Sequence, residues 1–282
     1  MHTRHECRMA AVAAALVAMV GTPVQAQSTD PGARVWLQAI GHAAKIESTA
    51  RIDESFNGPR GTTIDLERDL NQDDRKLVGN LAFGVRLGER WRLELEYLQL
   101  RRGGSAALPR AIRFDGVDFA QGAAMTSESR LTYTRVNAGF SLVRSEAGEF
   151  GIAFGGASVD QRLTVRGRPA NANAGTTERV RSDGVVMPLA GLYGHLKIAP
   201  KWRLTGRAYV GSIDNSDGNG AVNDVSAMAV WQFADQLSLG LGWRVLNLRA
   251  EPRLIGFIFA VPVTSEFHTR FNGPQVVIEG RF

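Results

Sequence analysis

Lys201 to Ser212 reads KWRLTGRAYVGS, and its residues divide by parity. Trp202, Leu204, Gly206, Ala208 and Val210 form one set, and Arg203, Thr205, Arg207, Tyr209 and Gly211 the other. Successive side chains of a strand point to opposite faces, so this is a strand with one apolar and one polar face. The pattern recurs. Trp91, Leu93, Leu95 and Tyr97 alternate with Arg92, Glu94 and Glu96, and Leu237 to Val245 alternates with Ser238, Gly240, Gly242 and Arg244. Leu77 to Leu87 and Val186 to Ile198 repeat it. A soluble sandwich would turn each apolar face towards a second layer. Here the polar set is rich in Gly and charge, and almost no helical pattern is available to cover so many apolar faces. A transmembrane barrel inverts the arrangement: apolar side chains meet lipid, and small and polar ones fill the lumen. Lipid also forces closure, since an open sheet edge would leave backbone groups unsatisfied.

The connections agree. Gly88-Glu89-Arg90, Glu146-Ala147-Gly148, Ala199-Pro200-Lys201 and Ala234-Asp235 are tight turns. Between them lie polar segments at 53–74, 102–125, 166–183, 214–221 and 250–268, the pattern of short periplasmic turns and long extracellular loops. Strands are expected at 33–52, 75–87, 90–102, 126–144, 149–165, 184–198, 201–213, 221–233, 236–249 and 270–282. That gives a closed antiparallel all-β barrel of ten strands, or eight if the pair at 221–249 is misassigned, with both termini periplasmic. Segment 110–121 is expected as a rim hairpin or an extension of its neighbours. Trp91, Trp202, Trp231 and Trp243 are expected in interfacial aromatic belts, and "ERWRL" at 89–93 echoes "PKWRL" at 200–204.

Residues 1–26 read as a secretory signal: Arg4 and Arg8, an apolar run from Ala10 to Val20, then Val24-Gln25-Ala26 as a small-x-small cleavage site. Residues 27–282 then form one barrel domain. Cleavage would take the single cysteine, Cys7, and lower the net charge of +5 by one, leaving no thiol chemistry. The expected location is a Gram-negative outer membrane.

The chain closes on FNGPQVVIEGRF, in which Val276, Ile278 and Phe282 alternate. This stretch resembles the C-terminal strand of Gram-negative outer-membrane β-barrels, which implies that these three residues form the signal read by the barrel-assembly machinery. Gly280 departs from that pattern, where an apolar residue is usual. Residues 62–104, with DLERDL at 65–70, resemble a set of proteobacterial outer-membrane barrel proteins that carry an acidic loop before a strand hairpin. The resemblance implies fold and location and carries no activity.

Arg86, Arg92, Glu94, Glu96, Arg203, Arg207, Arg244 and Glu279 are expected to face inward and to pair across a narrow lumen, with Arg281 beside them. The leading function is therefore a non-enzymatic barrel with a filled lumen and a structural or surface-interaction role. An excess of Arg makes a narrow anion-preferring pore the alternative. An enzyme acting on lipid A, phospholipid or peptide is the less favoured alternative. It would draw on His42, His195 or His268, and none of them stands in a recognisable Ser–His–acid motif, so no catalytic residue is assigned. No metal or cofactor is expected: Asp65, Glu67, Asp69, Asp73 and Asp74 do not follow the Ca²⁺-loop spacing and read as a solvated acidic loop. Outer-membrane lipid and lipopolysaccharide are the expected partners of a monomer, with Arg166, Arg168, Arg179 and Arg181 as candidate phosphate contacts. Nucleic-acid binding is not expected despite the pI of about 9.8, because the basic residues are scattered along strands.

Overall fold

The computed structural model describes residues 34–53, 60–170, 176–215, 218–254 and 263–282. The expected signal segment lies outside them. Ten long strands make the wall: β1 (Val35–Ile52), β3 (Arg75–Leu87), β4 (Trp91–Ala107), β7 (Ala124–Arg144), β8 (Gly148–Gly167), β9 (Thr177–Ala199), β10 (Trp202–Asn215), β11 (Gly218–Gln232), β12 (Leu237–Leu254) and β13 (Val263–Arg281). Each pairs antiparallel with the next, and β13 returns to β1 with a register from Trp36↔Arg281 to Ile52↔Ser265. Val35 and Phe282 complete the seam by exchanging backbone hydrogen bonds of 3.0 and 2.8 Å. No edge is left among these strands, as a bilayer requires. Three short strands, β2 (Ile64–Asp65), β5 (Ile112–Phe114) and β6 (Val117–Phe119), lie at the mouth opposite the tight turns.

The strands run further than the sequence reading places them. β4 continues to Ala107, β9 begins at Thr177, β12 reaches Leu254 and β13 starts at Val263, so much of the expected loop at 102–125, 166–183 and 250–268 is barrel wall. On β4, β12 and β13 the cause is a reversal of the alternation partway up the strand. On β12 the outward residues Leu237, Leu239, Leu241, Trp243 and Val245 are followed by Asn247, Arg249 and Glu251. The inward residues change in the opposite sense, from Ser238, Gly240, Gly242 and Arg244 to Leu246, Leu248 and Ala250, with the two leucines fully buried. β4 does the same, Tyr97 giving way outside to Gln99 and Arg101 while Glu96 gives way inside to Leu98 and Leu100. On β13, Pro274 gives way outside to Asn272 and Arg270, and Gln275 gives way inside to Phe271 and Phe267.

Geometry does not change at these points; the solvent does. Leu237 and Asn247 are ten residues apart, about 25 Å along the axis at roughly 3.3 Å per residue and a tilt of about 40°. That equals the apolar band of an outer-membrane barrel. Below the reversal the wall has lipid outside and polar groups inside. Above it the wall has water outside and an apolar core inside.

Candidate functional site

The lumen is filled in layers. Near mid-height, Glu96 on β4 and Asp224 on β11 stand on opposite walls, five strands apart around the ring. Arginines join them. Arg135 on β7 donates to Glu96 Oε2 at 2.7 Å and to Asp224 Oδ2 at 3.0 Å. Arg244 on β12 grips Asp224 with Nε and Nη2, both at 2.8 Å, and its Nη1 lies 2.6 Å from Glu96 Oε1. The planar guanidinium fork suits this bidentate grip. Arg207 on β10 adds a third cation, 3.3 Å from Glu96, and donates to Ser226 Oγ at 3.0 Å. Asn80 donates to Glu96 at 3.1 Å. The side chains of Glu96, Asp224, Arg135 and Arg244 are at most 1% exposed. Arg135 also lies 4.0 Å over the Tyr209 ring, a cation–π contact made in a desolvated setting. The strand opposite leaves room for that ring with Gly191, where a Cβ would come within 2.2 Å of it.

Towards the tight turns, the remaining charges of the expected network form separate clusters. Arg86 donates to Glu149 at 2.6 Å, and Ser141 Oγ donates to the same carboxylate at 2.5 Å while lying 3.1 Å from Tyr193 Oη. Arg92 is 3.1 Å from Glu94 and 3.1 Å from the centre of the Tyr193 ring. Glu279 takes Arg203, Arg281 at 2.5 Å and Gln38 at 2.6 Å. The eight expected lumen residues therefore all stand on the inner wall, but only Glu96, Arg207 and Arg244 share the central bridge. Arg135, Asp224 and Glu149 were not singled out from the sequence. The face rule reaches all three: Val136, Ala138 and Phe140 turn Arg135 inward, Val225, Ala227 and Ala229 turn Asp224 inward, and Phe150, Ile152 and Phe154 do so for Glu149.

Above the bridge the lumen is packed with apolar side chains. Ile46, Leu98, Tyr133, Val159, Val222, Leu246, Leu248 and Phe271 are each fully buried there. The expectation that long charged side chains fill the lumen holds only for the lower part, since a wall surrounded by water needs an apolar interior.

A cap closes the mouth. β5 and β6 form the rim hairpin, turned by Asp115 and Gly116 at φ 49° and 74°, the left-handed pair of a two-residue type I′ turn. Its Ile112, Phe114 and Phe119 pack with Ile52, Ile64, Leu70, Leu163 and Phe267. Of the acidic segment expected to be solvated, Glu67 and Asp69 are tied down, while Asp73 and Asp74 are exposed. Glu67 pairs with Arg102, which also donates to Ser48 Oγ at 2.7 Å and to the Asp73 carbonyl at 3.0 Å. Asp69 accepts from Arg110 at 2.9 Å and is 1% exposed. Burial pushes the Asp69 carboxyl up, but hydrogen bonds from Arg110, the Asp65 backbone and Arg68 outweigh it and hold the group below its ordinary value.

Elsewhere on the outer wall, Trp91, Trp202 and Trp231 stand at turn-side strand ends, with Trp202 and Trp231 stacked at 6.3 Å between centroids. Trp243 sits higher, donating to Asn272 at 2.7 Å. Val276, Ile278 and Phe282 are exposed on the outer face of β13. Of the histidines, His42 is fully buried opposite Gln275, and His195 faces Glu149 across β8–β9. His268 is exposed outside, whereas Ser265 points inward, so those two do not meet on one face.

A closed ten-strand antiparallel barrel with a lipid-facing apolar band defines a β-barrel of the outer-membrane class. No protein-family profile and no curated protein matches the sequence. Among solved structures, the outer membrane protease OmpT from Escherichia coli superposes with a TM-score of 0.56 at 10% identity, over 92% of this chain and 99% of that one. The translocator domain of autotransporter NalP from Neisseria meningitidis gives 0.45 at 12% identity, over 100% and 98%. At these identities the likeness to OmpT extends to the fold alone, and the NalP score adds nothing to it.

Proposed function

We propose that this protein is a sealed, non-enzymatic outer-membrane barrel whose role is structural or surface-interacting, carried by the wall and cap that rise above the lipid. The observation that carries this reading is the central bridge, which joins opposite walls of the lumen through Arg135 and Arg244 with an apolar core stacked above it. Charges of both signs pair there in a space that excludes water, and in the mainly apolar packing above, the polar side chains Gln72, Ser127, Ser129, Gln161 and Thr269 bond one another instead of presenting themselves to an ion. The purified protein is expected to give no steady conductance in a planar bilayer. Large ohmic channels would overturn the sealed-lumen reading, and small anion-selective steps would favour the narrow pore.

The closing strand is proposed to carry the assembly signal, with the folded barrel a monomer. Phe282 contributes an exposed ring on the lipid face and the backbone pair that joins β13 to β1 at Val35. Arg281 points inward to Glu279. Deleting Phe282 is therefore expected to lower the heat-modifiable, membrane-inserted fraction several-fold, and Arg281→Ala to lower it far less. Equal losses would mean that the two faces of β13 are exchanged, as a one-residue slip would do.

A further inference from the structure

The outer wall above the lipid band carries one row of charge that no described residue neutralises by direct contact. Arg101 on β4, Arg130 on β7 and Arg162 on β8 are exposed, and the registers set Arg101 opposite Arg130 and Arg130 opposite Arg162. Side chains in such positions are about 5 Å apart at Cβ, where like charges repel. Among the described residues none of the three makes a side-chain ion pair or hydrogen bond. Other outward cations do: Arg166 lies 2.9 Å from Glu178, Lys45 2.9 Å from Glu47, and Arg249 2.5 Å from Glu251. Glu128 and Asp160 sit diagonally beside the row, opposite Gly103 and Thr132, and Asp160 already accepts from Ser158 at 3.0 Å. Two carboxylates against three guanidinium groups leave the row positive.

Depth gives the row a meaning. Trp91, Phe140 and Ile152 form one register row on the same three strands, at the turn side. Each lies ten residues below its arginine, about 25 Å along the axis, which is the height of the apolar band. The arginines thus stand at the outer lipid–water boundary, above the exposed Tyr97, Val136 and Phe154. They are also local. On β9, β10 and β11 the outward positions near this boundary are the uncharged Gly184, Ser212 and Asn223, and on the opposite wall the cations have carboxylates beside them, Arg270 in register with Glu47 and Arg249 paired with Glu251.

We propose that Arg101, Arg130 and Arg162 form a site for the phosphate group of an outer-leaflet lipid, with lipid A as the occupant and its acyl chains lying on Tyr97, Val136 and Phe154. Arginine forks bind phosphate oxygens through paired charge-assisted hydrogen bonds, and one phosphate set between them replaces mutual repulsion with attraction. The inference rests on the membrane-spanning reading of the barrel and is independent of the sealed lumen, so a conducting protein would leave it standing.

The test titrates the full-length barrel, purified free of lipid in neutral detergent, and follows its thermal unfolding midpoint by heat-modifiable gel mobility. The probes are diphosphoryl lipid A, the same lipid dephosphorylated, phosphatidylglycerol and inorganic phosphate. Diphosphoryl lipid A is expected to raise the midpoint saturably, and the other three are not. The half-saturating concentration should rise at least tenfold in R101Q/R130Q/R162Q, at least threefold in R130Q alone, and stay unchanged in R249Q/R270Q. Equal protection by dephosphorylated lipid A or phosphatidylglycerol would overturn the site, as would competition by inorganic phosphate at the same concentration as the lipid. An equal loss in R249Q/R270Q would reduce the row to a diffuse basic belt and overturn it too. Should the triple variant fail to fold, R130Q decides alone, and an unchanged half-saturation there refutes the proposal.

Discussion

Asp224→Ala is expected to cost the barrel about 3–5 kcal/mol, the range for stripping a buried ion pair of one partner. The substitution removes the acceptor of three bonds, two from Arg244 at 2.8 Å and one from Arg135 at 3.0 Å. It leaves Arg135, Arg207 and Arg244 around a single carboxylate, Glu96. Guanidinium groups do not shed a proton to relieve this. Glu94→Ala is a useful contrast, with an expected loss of about 1–2 kcal/mol. Its partners are the Tyr209 hydroxyl, which donates at 3.2 Å and is neutral, and Arg92, which is 13% exposed and stacked on Tyr193, so water and the ring keep part of the cation's stabilisation. Denaturant unfolding in lipid–detergent micelles, read by tryptophan fluorescence, separates the two. Adding Arg244→Met to Asp224→Ala should recover part of the loss, since removing both charges is less harmful than orphaning one. An Asp224→Ala protein as stable as wild type would show that the bridge does not hold the lower lumen closed.

Much of the wall was legible from the sequence because each lipid-facing run is unmixed. Leu237 to Trp243 and Trp202 to Val210 leave no choice of face, and the tight turns fix where strands reverse. What escaped was the upper half. A segment such as Ser265–Thr269, expected as loop as far as residue 268, alternates like the strands below, with Ser265, Phe267 and Thr269 on one side and Glu266 and His268 on the other. It reads as loop only when apolar side chains are assumed to face outward along the whole strand. Once the surroundings change from lipid to water, the same period with opposite sense is the expected sign of a continuing wall. The central bridge was half legible for a related reason. Glu96, Arg207 and Arg244 sit in strands whose two faces differ sharply, whereas Asp224 lies among Val222, Ser226 and Met228, a mixed inner face that draws little notice. Which charges meet across the lumen is set by shear and by ring order, and no local pattern encodes those.

An arginine scan along β12 would show the exchange of solvent directly, because neighbouring residues should trade places in sensitivity. Leu241 is 59% exposed on the lipid face well inside the apolar band, so Leu241→Arg is expected to cost about 2–4 kcal/mol. Two register rows beyond Val245 the outside is water. Asn247→Arg should then change stability by no more than about 0.5 kcal/mol, as surface substitutions usually do. Leu248 is fully buried among Tyr133, Val222, Leu246 and Phe271, and Leu248→Arg should cost more than about 4 kcal/mol. It would place an unpaired charge in an apolar core and has no aqueous lumen in which to extend. The pair Asn247 and Leu248 thus reverses the rule that holds at Leu241, where the outward position is the sensitive one. If Asn247→Arg proves as harmful as Leu241→Arg, the lipid band reaches higher than the reversal of the alternation. If Leu248→Arg is tolerated, the upper lumen is wet, and the central bridge alone would separate the mouth from the lower lumen.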